Sequence, residues 1–131
     1  MTINWLTADV VNRIHDDALA LDGIGLHGQP ANKDISAPLQ RVENKHYYQG
    51  VEDILFLAAS YCMAIAMGHI YNDANKRTSF TAMDVFLRMN GYELDMDKEI
   101  ILDLIVETAK GALTQDELAY CVHGYLVELN D

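Results

Sequence analysis

Residues 54–67 read ILFLAASYCMAIAM, and this is the most apolar stretch of the chain. Its apolar residues occupy nearly every position rather than one stripe, and a helix that is apolar around most of its circumference is buried in the centre of a domain. The run contains Ser60 and is shorter than the roughly 20 apolar residues that a membrane-spanning helix needs. We therefore predict a buried central helix over residues 51–68 and no membrane span.

Helical periodicity also dominates the sequence on both sides of this run. Apolar residues recur every three or four positions, and the alternation typical of long β-strands is absent. The pattern predicts an all-α fold, a single-domain helical bundle of about six helices over residues 1–131, with at most a short hairpin. The other predicted helices run from Thr7 to before Gly23, and over residues 38–45, 74–89, 97–110 and 114–129. A long loop is predicted over residues 22–37. Asn90-Gly91 is a C-terminal helix stop, and Thr114-Gln115-Asp116-Glu117 matches a capping box.

Length and composition restrict the class of protein. A chain of 131 residues has the size of one domain, and with 50% hydrophobic and 22% charged residues it has enough apolar surface to form a core. The N-terminal residues lack the pattern of a signal peptide, so we expect a soluble, cytoplasmic protein. Cys62 and Cys121 lie in helical apolar patterns without the spacing of zinc ligands, and we expect both to be buried thiols.

The net charge of −11 is concentrated in the last third of the chain. Residues 91–131 carry ten acidic and two basic side chains. A nucleic-acid surface needs clustered Lys and Arg, and the sequence has no such stretch beyond the pair Lys76-Arg77, so we predict no direct nucleic-acid binding. The acidic excess is explained either by solubility or by a basic protein partner.

One segment, His69-Ile70-Tyr71-Asn72-Asp73-Ala74-Asn75-Lys76-Arg77-Thr78, joins the central helix to the next predicted helix. A helix start has free N–H groups and the positive end of the helix dipole, so acidic residues are favoured there and cations are disfavoured. Lys76 and Arg77 break that rule, and free N–H groups combined with Lys and Arg form a site that suits a phosphate-bearing ligand. His69 has the chemistry of a general base near neutral pH, and Asp73 that of a magnesium ligand.

Each of these residues also has a structural interpretation. The two cations can form a solvated turn that pairs with nearby acids, His69 can meet terminal helix carbonyls, Asp73 can be an ordinary N-cap, and Asn75 can form a turn. For Tyr71 the structural role is preferred, as an aromatic ring that anchors the loop on the core.

The segment resembles the signature of the Fic/Doc family, His-x-Phe-x-(Asp/Glu)-(Gly/Ala)-Asn-(Gly/Lys)-Arg, and is most similar to its Doc, or death-on-curing, branch. The chain differs from the signature at Tyr71, where Phe is usual. The resemblance extends over residues 10–125 and includes the His15-Asp16 pair, the Gly-rich loop from Gly23, Tyr47-Tyr48 and the Phe86-to-Gly91 stretch.

The resemblance implies a function and a set of site residues. Members of the Doc branch are toxins of toxin–antitoxin modules that use ATP and Mg²⁺ to phosphorylate a threonine of elongation factor Tu, which arrests translation. By resemblance His69 is the catalytic base, Asp73 holds the magnesium ion, and Ala74, Asn75, Lys76 and Arg77 bind the phosphates, with the amides of residues 74–76 as an anion nest. The partners implied are elongation factor Tu as substrate and a Phd-like antitoxin.

Two other functions stay open at this point. Most Fic enzymes have Gly where this chain has Lys76, and they transfer AMP to a protein hydroxyl, so AMP transfer is one alternative. A non-enzymatic helical binding module is the other. The His15-Asp16 pair resembles that of metal-dependent phosphohydrolases, but no further histidine precedes it, so we set that class aside.

The inhibitory motif that many Fic proteins carry, (Ser/Thr)-x-x-x-Glu-(Gly/Asn), is absent. Only Glu43 is followed by Gly or Asn, and Leu39 stands four places before it. A toxin without this inhibitory motif needs a separate protein as its inhibitor, which agrees with the antitoxin that the resemblance implies.

Overall fold

A computed structural model of the chain describes residues 2–22, 34–68 and 75–129. Within these ranges the fold consists of six helices and one two-stranded hairpin, as the helical periodicity predicts. The elements are α1 (Ala8–Asp22), α2 (Ser36–Gln49), α3 (Ile54–Gly68), α4 (Asn75–Met89), β1 (Tyr92–Leu94), α5 (Lys98–Ala109), α6 (Gln115–His123) and β2 (Leu126–Glu128).

Helix α3 is the central helix that its apolar sequence predicts. Four helices pack around it, α4 most extensively, while α1 packs against α4. The buried hydrophobic residues of α3 occur on all its sides and are Leu55, Leu57, Ala58, Ala59, Tyr61, Cys62, Met63, Ile65 and Ala66. Burial of each large apolar side chain contributes about 1.5–3 kcal/mol, so α3 and its neighbours form the main core of the domain. No helix in the described ranges has the length and apolar character to span a membrane.

Aromatic rings extend this core from α3 to the N-terminal segment. The ring of Tyr61 meets the ring of Phe86 on α4 edge to face at a centroid distance of 4.9 Å. The ring of Trp5 also stacks on the ring of Phe86, at a centroid distance of 6.1 Å. Such aromatic pairs stabilise a core by about 0.5–1.5 kcal/mol beyond their buried area, and this contact fixes the segment before α1 against α4.

The boundaries of two helices differ from the predicted ones because of local capping. Helix α3 begins at Ile54 rather than at 51, because the carboxylate of Asp53 accepts a hydrogen bond from the N–H of Phe56. Helix α2 is longer than the predicted 38–45. It begins at Ser36, whose N–H donates to the Asp34 carboxylate, and it ends at Gln49, followed by Gly50 in the left-handed conformation.

The prediction of a helix over residues 114–129 is wrong in its second half. The capping box at Thr114 and Glu117 is confirmed, but α6 ends at His123 and Leu126–Glu128 forms β2. This strand pairs antiparallel with β1, with Leu94 opposite Leu126 and Tyr92 opposite Glu128. The hydrogen bonds between β1 and β2 satisfy backbone N–H and C=O groups that would otherwise have formed bonds within a longer α6.

The two cysteines differ in burial. Cys62 is buried in α3 as predicted, but Cys121 is exposed on α6, so the prediction for Cys121 is wrong. The physical reason is that α6 buries only a narrow stripe, formed by Leu118 and Val122, and Cys121 lies beside that stripe.

Candidate functional site

The predicted motif spans the junction between α3 and α4, the two helices that pack most extensively. Helix α3 ends at Gly68 and α4 begins at Asn75, so residues 69–74 connect them. His69, Tyr71, Asp73 and Ala74 lie outside the described residues, as does the side chain of Asn75. The roles predicted for these residues therefore stay predictions, and the described part of the site is the first turn of α4.

Lys76 and Arg77 both lie in this first turn. The Lys76 side chain is exposed and Arg77 is half-buried, and the turn contains no acidic residue. The start of a helix has N–H groups that lack helical partners and a partial positive charge. Two added cations therefore give this turn a positive potential that suits a phosphate or another anion.

Two buried hydroxyl-bearing residues, Thr78 and Ser79, follow directly, and Ser79 connects the turn to α3. Ser79 is buried, and its Oγ donates a hydrogen bond to the carbonyl oxygen of Lys76 at 2.6 Å. A further hydrogen bond joins the Ser79 hydroxyl to the thiol of Cys62 on α3. Burial raises the pKa of Cys62 to about 12, so this group remains a neutral thiol. The backbone of Lys76 is thereby connected through Ser79 to the central helix.

Thr78 is the other buried residue of this turn. Its Oγ1 is fully buried and has no hydrogen-bond partner among the described residues. A buried hydroxyl without a partner costs about 1–3 kcal/mol, and such groups call for a specific explanation when they occur in native proteins. This hydroxyl lies next to the segment that the motif predicts to be functional.

The sequence pattern does not predict the contributions of Cys62, Thr78 and Ser79. Thr78 ends the motif but has no role in it, and Cys62 is one of many small apolar residues in α3. A hydrogen bond between two helices depends on their relative rotation, which periodicity alone does not determine. The burial of Ser79 beside the motif is the feature that identifies the contact, and it requires the structure.

Comparison with known proteins decides the family. The model of the Fic/DOC family matches residues 5–87, which include the whole of α3, the segment 69–74 and the first turn of α4. The chain belongs to the Fic/DOC family. This confirms the resemblance found in the segment from His69 to Thr78.

This Fic/DOC chain is similar to one curated protein in sequence and to one solved structure in fold. It is 35% identical over 106 residues to the protein named "Protein kinase doc" of Escherichia phage P1, and the match covers 81% of this chain and 82% of that kinase. Its fold is similar to the N-terminal Fic domain of a VirB-translocated Bep effector protein of Bartonella quintana, whose crystal structure contains bound ADP. That match has a TM-score of 0.51 and covers 78% of this chain and 55% of the other, so this chain spans about half of that structure. The sequence identity is 15%, so the similarity shows the fold alone.

Proposed function

We propose that this chain is the toxin of a toxin–antitoxin module and acts as a protein kinase. In this proposal it transfers the γ-phosphate of ATP to a threonine hydroxyl of elongation factor Tu and so arrests translation. The observation that carries the proposal is the 35% identity, over 81% of the chain, to a protein named as a kinase. The cationic first turn of α4 and the ADP bound by a domain of the same fold support a nucleotide as ligand.

The phosphates of ATP would bind at the start of α4. The side chains of Lys76 and Arg77 are long enough to reach phosphate oxygens from the first turn, and the amides of residues 74–76 would donate to the same oxygens. The bond between Ser79 and the Lys76 carbonyl supports this function, because it fixes the backbone that donates these amides. Asn75 would add a side-chain amide, and Tyr71 would anchor the connecting segment.

His69 would act as the general base. Its imidazole would take the proton of the threonine hydroxyl while the hydroxyl oxygen forms a bond to the γ-phosphorus. The bond from that phosphorus to the β–γ bridging oxygen would break, and ADP would leave with the electron pair. A magnesium ion held by Asp73 would neutralise negative charge on the phosphates.

In this proposal Lys76 favours transfer of the γ-phosphate over transfer of AMP. A side chain at this position narrows the space that Gly leaves in AMP-transferring Fic enzymes, so the nucleotide would turn and present its terminal phosphate to the target. AMP transfer is the alternative outcome of the same experiment.

The test uses ATP labelled at either the α- or the γ-phosphate, incubated with the chain and elongation factor Tu. Label from the γ-position on the target supports the kinase, and label from the α-position shows AMP transfer instead. His69→Ala should reduce transfer by about 10²–10⁴-fold, the contribution typical of a general base. The matched control is His123→Ala, which removes an exposed histidine at the end of α6 and should leave transfer unchanged. If neither label appears on the target, or if only the α-label appears, the kinase proposal is contradicted.

A further inference from the structure

A cavity of about 420 Å³ lies between α2, α3 and α6. Its volume is within the range of about 300–1,000 Å³ that small-molecule sites occupy in proteins. Its lining includes Arg41 and Lys45 of α2, Ser60, Met63 and Met67 of α3, and Gln115 at the start of α6.

Lys45 is held in position at the wall of this cavity. Its Nζ donates a hydrogen bond to Ser60 Oγ at 3.1 Å and lies 5.4 Å from the centroid of the Phe56 ring. Gln115 Nε2 donates to the same Ser60 oxygen at 2.6 Å. The ammonium group has three N–H donors, so this arrangement leaves donors of Lys45 for a further acceptor.

Ion pairing is the next feature of Arg41 and Lys45. The chain contains 20 acidic and 9 basic residues, and elsewhere Arg88 pairs with Asp84 and Glu93. Within the described residues no carboxylate forms an ion pair with Arg41 or with Lys45. Asp116 attracts Lys45 electrostatically, but partial burial outweighs this effect and lowers the pKa of Lys45. Lys45 is half-buried whereas Arg41 is exposed, so Lys45 is the cation whose desolvation a bound anion would offset.

The two cations lie one helical turn apart and line the same cavity, so one anionic group can reach both. The remaining surface of the cavity is largely apolar, with the thioether side chains of Met63 and Met67, which adapt readily to different ligand shapes. We propose that this cavity binds a small organic anion, in which a phosphate or carboxylate meets Arg41 and Lys45 and an apolar body packs against Met63 and Met67.

This site is separate from the proposed phosphate site at α4. Ser60, Met63 and Met67 lie on one face of α3, at the spacing of successive helical turns. Cys62, which contacts Ser79 of α4, lies about 130° around the helix axis from that face, at 100° per residue. The cavity and the first turn of α4 are therefore on different sides of the central helix, and the inference does not depend on the kinase proposal.

The test is NMR of the chain labelled at its methionine methyl groups, titrated with phenyl phosphate and, separately, with benzoate. The chain has six methionines, and Met63→Leu and Met67→Leu assign the two resonances of interest. We expect at least one anion to shift both resonances in a saturable manner, and the neutral analogue benzyl alcohol to bind at least about tenfold more weakly. Arg41→Gln and Lys45→Gln should each weaken the anion by about tenfold or more, the loss expected for one charge-assisted hydrogen bond.

Two control variants complete the experiment. Lys110→Gln removes an exposed lysine that pairs with Glu107, and Lys76→Gly alters the proposed phosphate site, so both should retain the shifts at Met63 and Met67. The spectra also report whether each variant is folded. Shifts that do not saturate for either anion, or that persist unchanged in both Arg41→Gln and Lys45→Gln, would overturn the proposal. Loss of the shifts in folded Lys76→Gly would overturn it as well, because the anion would then bind at the motif.

Discussion

At the scale of single residues, Lys76 has the clearest expected effect on the reaction. It is an exposed cation in a helical turn without acidic residues, so Lys76→Gly removes charge from the proposed phosphate site. We expect γ-phosphate transfer to fall by about 10–100-fold, the loss that corresponds to one hydrogen bond to a charged group. Lys98→Gly is the matched control, since it also removes an exposed lysine from a first helical turn, that of α5, and should leave transfer unchanged. Transfer by Lys76→Gly at the level of the parent would contradict this role.

The thiols of Cys62 and Cys121 should differ in their reactivity in the folded chain. Alkylation requires the thiolate, and burial raises the pKa of Cys62 to about 12, whereas Cys121 is exposed. At pH 8 the folded chain should therefore take up one equivalent of iodoacetamide, located at Cys121 by peptide mass spectrometry. Both cysteines should react after unfolding in urea. Rapid alkylation of Cys62 in the folded chain would show that the contact between α3 and α4 opens readily.

At the scale of elements, helices were predictable where the sequence pattern is local. The apolar circumference of α3, the stripe of α4 and the capping box of α6 are all determined by residues within a few positions of one another. The motif of the candidate site was recognisable for the same reason, because its residues are consecutive. The contact from Cys62 through Ser79 to Lys76 was not predictable, because it depends on how two helices are rotated against each other.

The hairpin, like the contact between Cys62 and Ser79, could not be predicted from the local sequence. Strand β2 has only three residues, and its partner β1 precedes it by two whole helices, so no local alternation marks either strand. The sequence of residues 114–129 is compatible with a helix, and the long-range pairing with Tyr92–Leu94 decides against one. The backbone conformation of Gly91 makes this pairing possible, since its φ is 90° and its carbonyl accepts a hydrogen bond from Leu129 N–H at 2.8 Å.

The element-scale prediction is that Gly91→Ala destabilises the fold by about 1–2 kcal/mol, because a side chain disfavours the left-handed conformation. Gly124→Ala is the matched control. Neither glycine has atoms near the position of an added Cβ, but Gly124 has a φ of −67°, which alanine adopts without strain. Urea unfolding should therefore show a loss of stability for Gly91→Ala and little change for Gly124→Ala. Equal stabilities of the two variants would show that the backbone at residue 91 is not constrained by the hairpin.

At the scale of the whole molecule, charge is distributed unevenly along the sequence. The acidic excess of residues 91–131 covers β1, α5, α6 and β2, whereas the proposed phosphate site in the first turn of α4 is cationic. A separate inhibitor with basic residues would be attracted to the acidic elements without competing for the cations of α4. A disordered tail that folds as an amphipathic helix would meet this requirement, with apolar contacts contributing most of the affinity.

The last prediction tests this inhibition and follows from the proposed function. Expression of the chain alone should arrest bacterial growth, and co-expression of the neighbouring open reading frame should restore it. His69→Ala should be harmless alone but should still bind the inhibitor, because the substitution removes the proposed base and leaves the acidic elements intact.

The salt dependence of this complex tests how the inhibitor binds. We expect charge to speed the association of the two proteins and apolar burial to supply most of the affinity, so raising salt from about 50 to about 500 mM should weaken the complex several-fold without abolishing it. Titration calorimetry with His69→Ala measures this dependence without toxicity. Harmless expression of a folded, ATP-binding chain by itself would contradict the toxin assignment, and a complex that dissociates completely in salt would contradict an apolar interface.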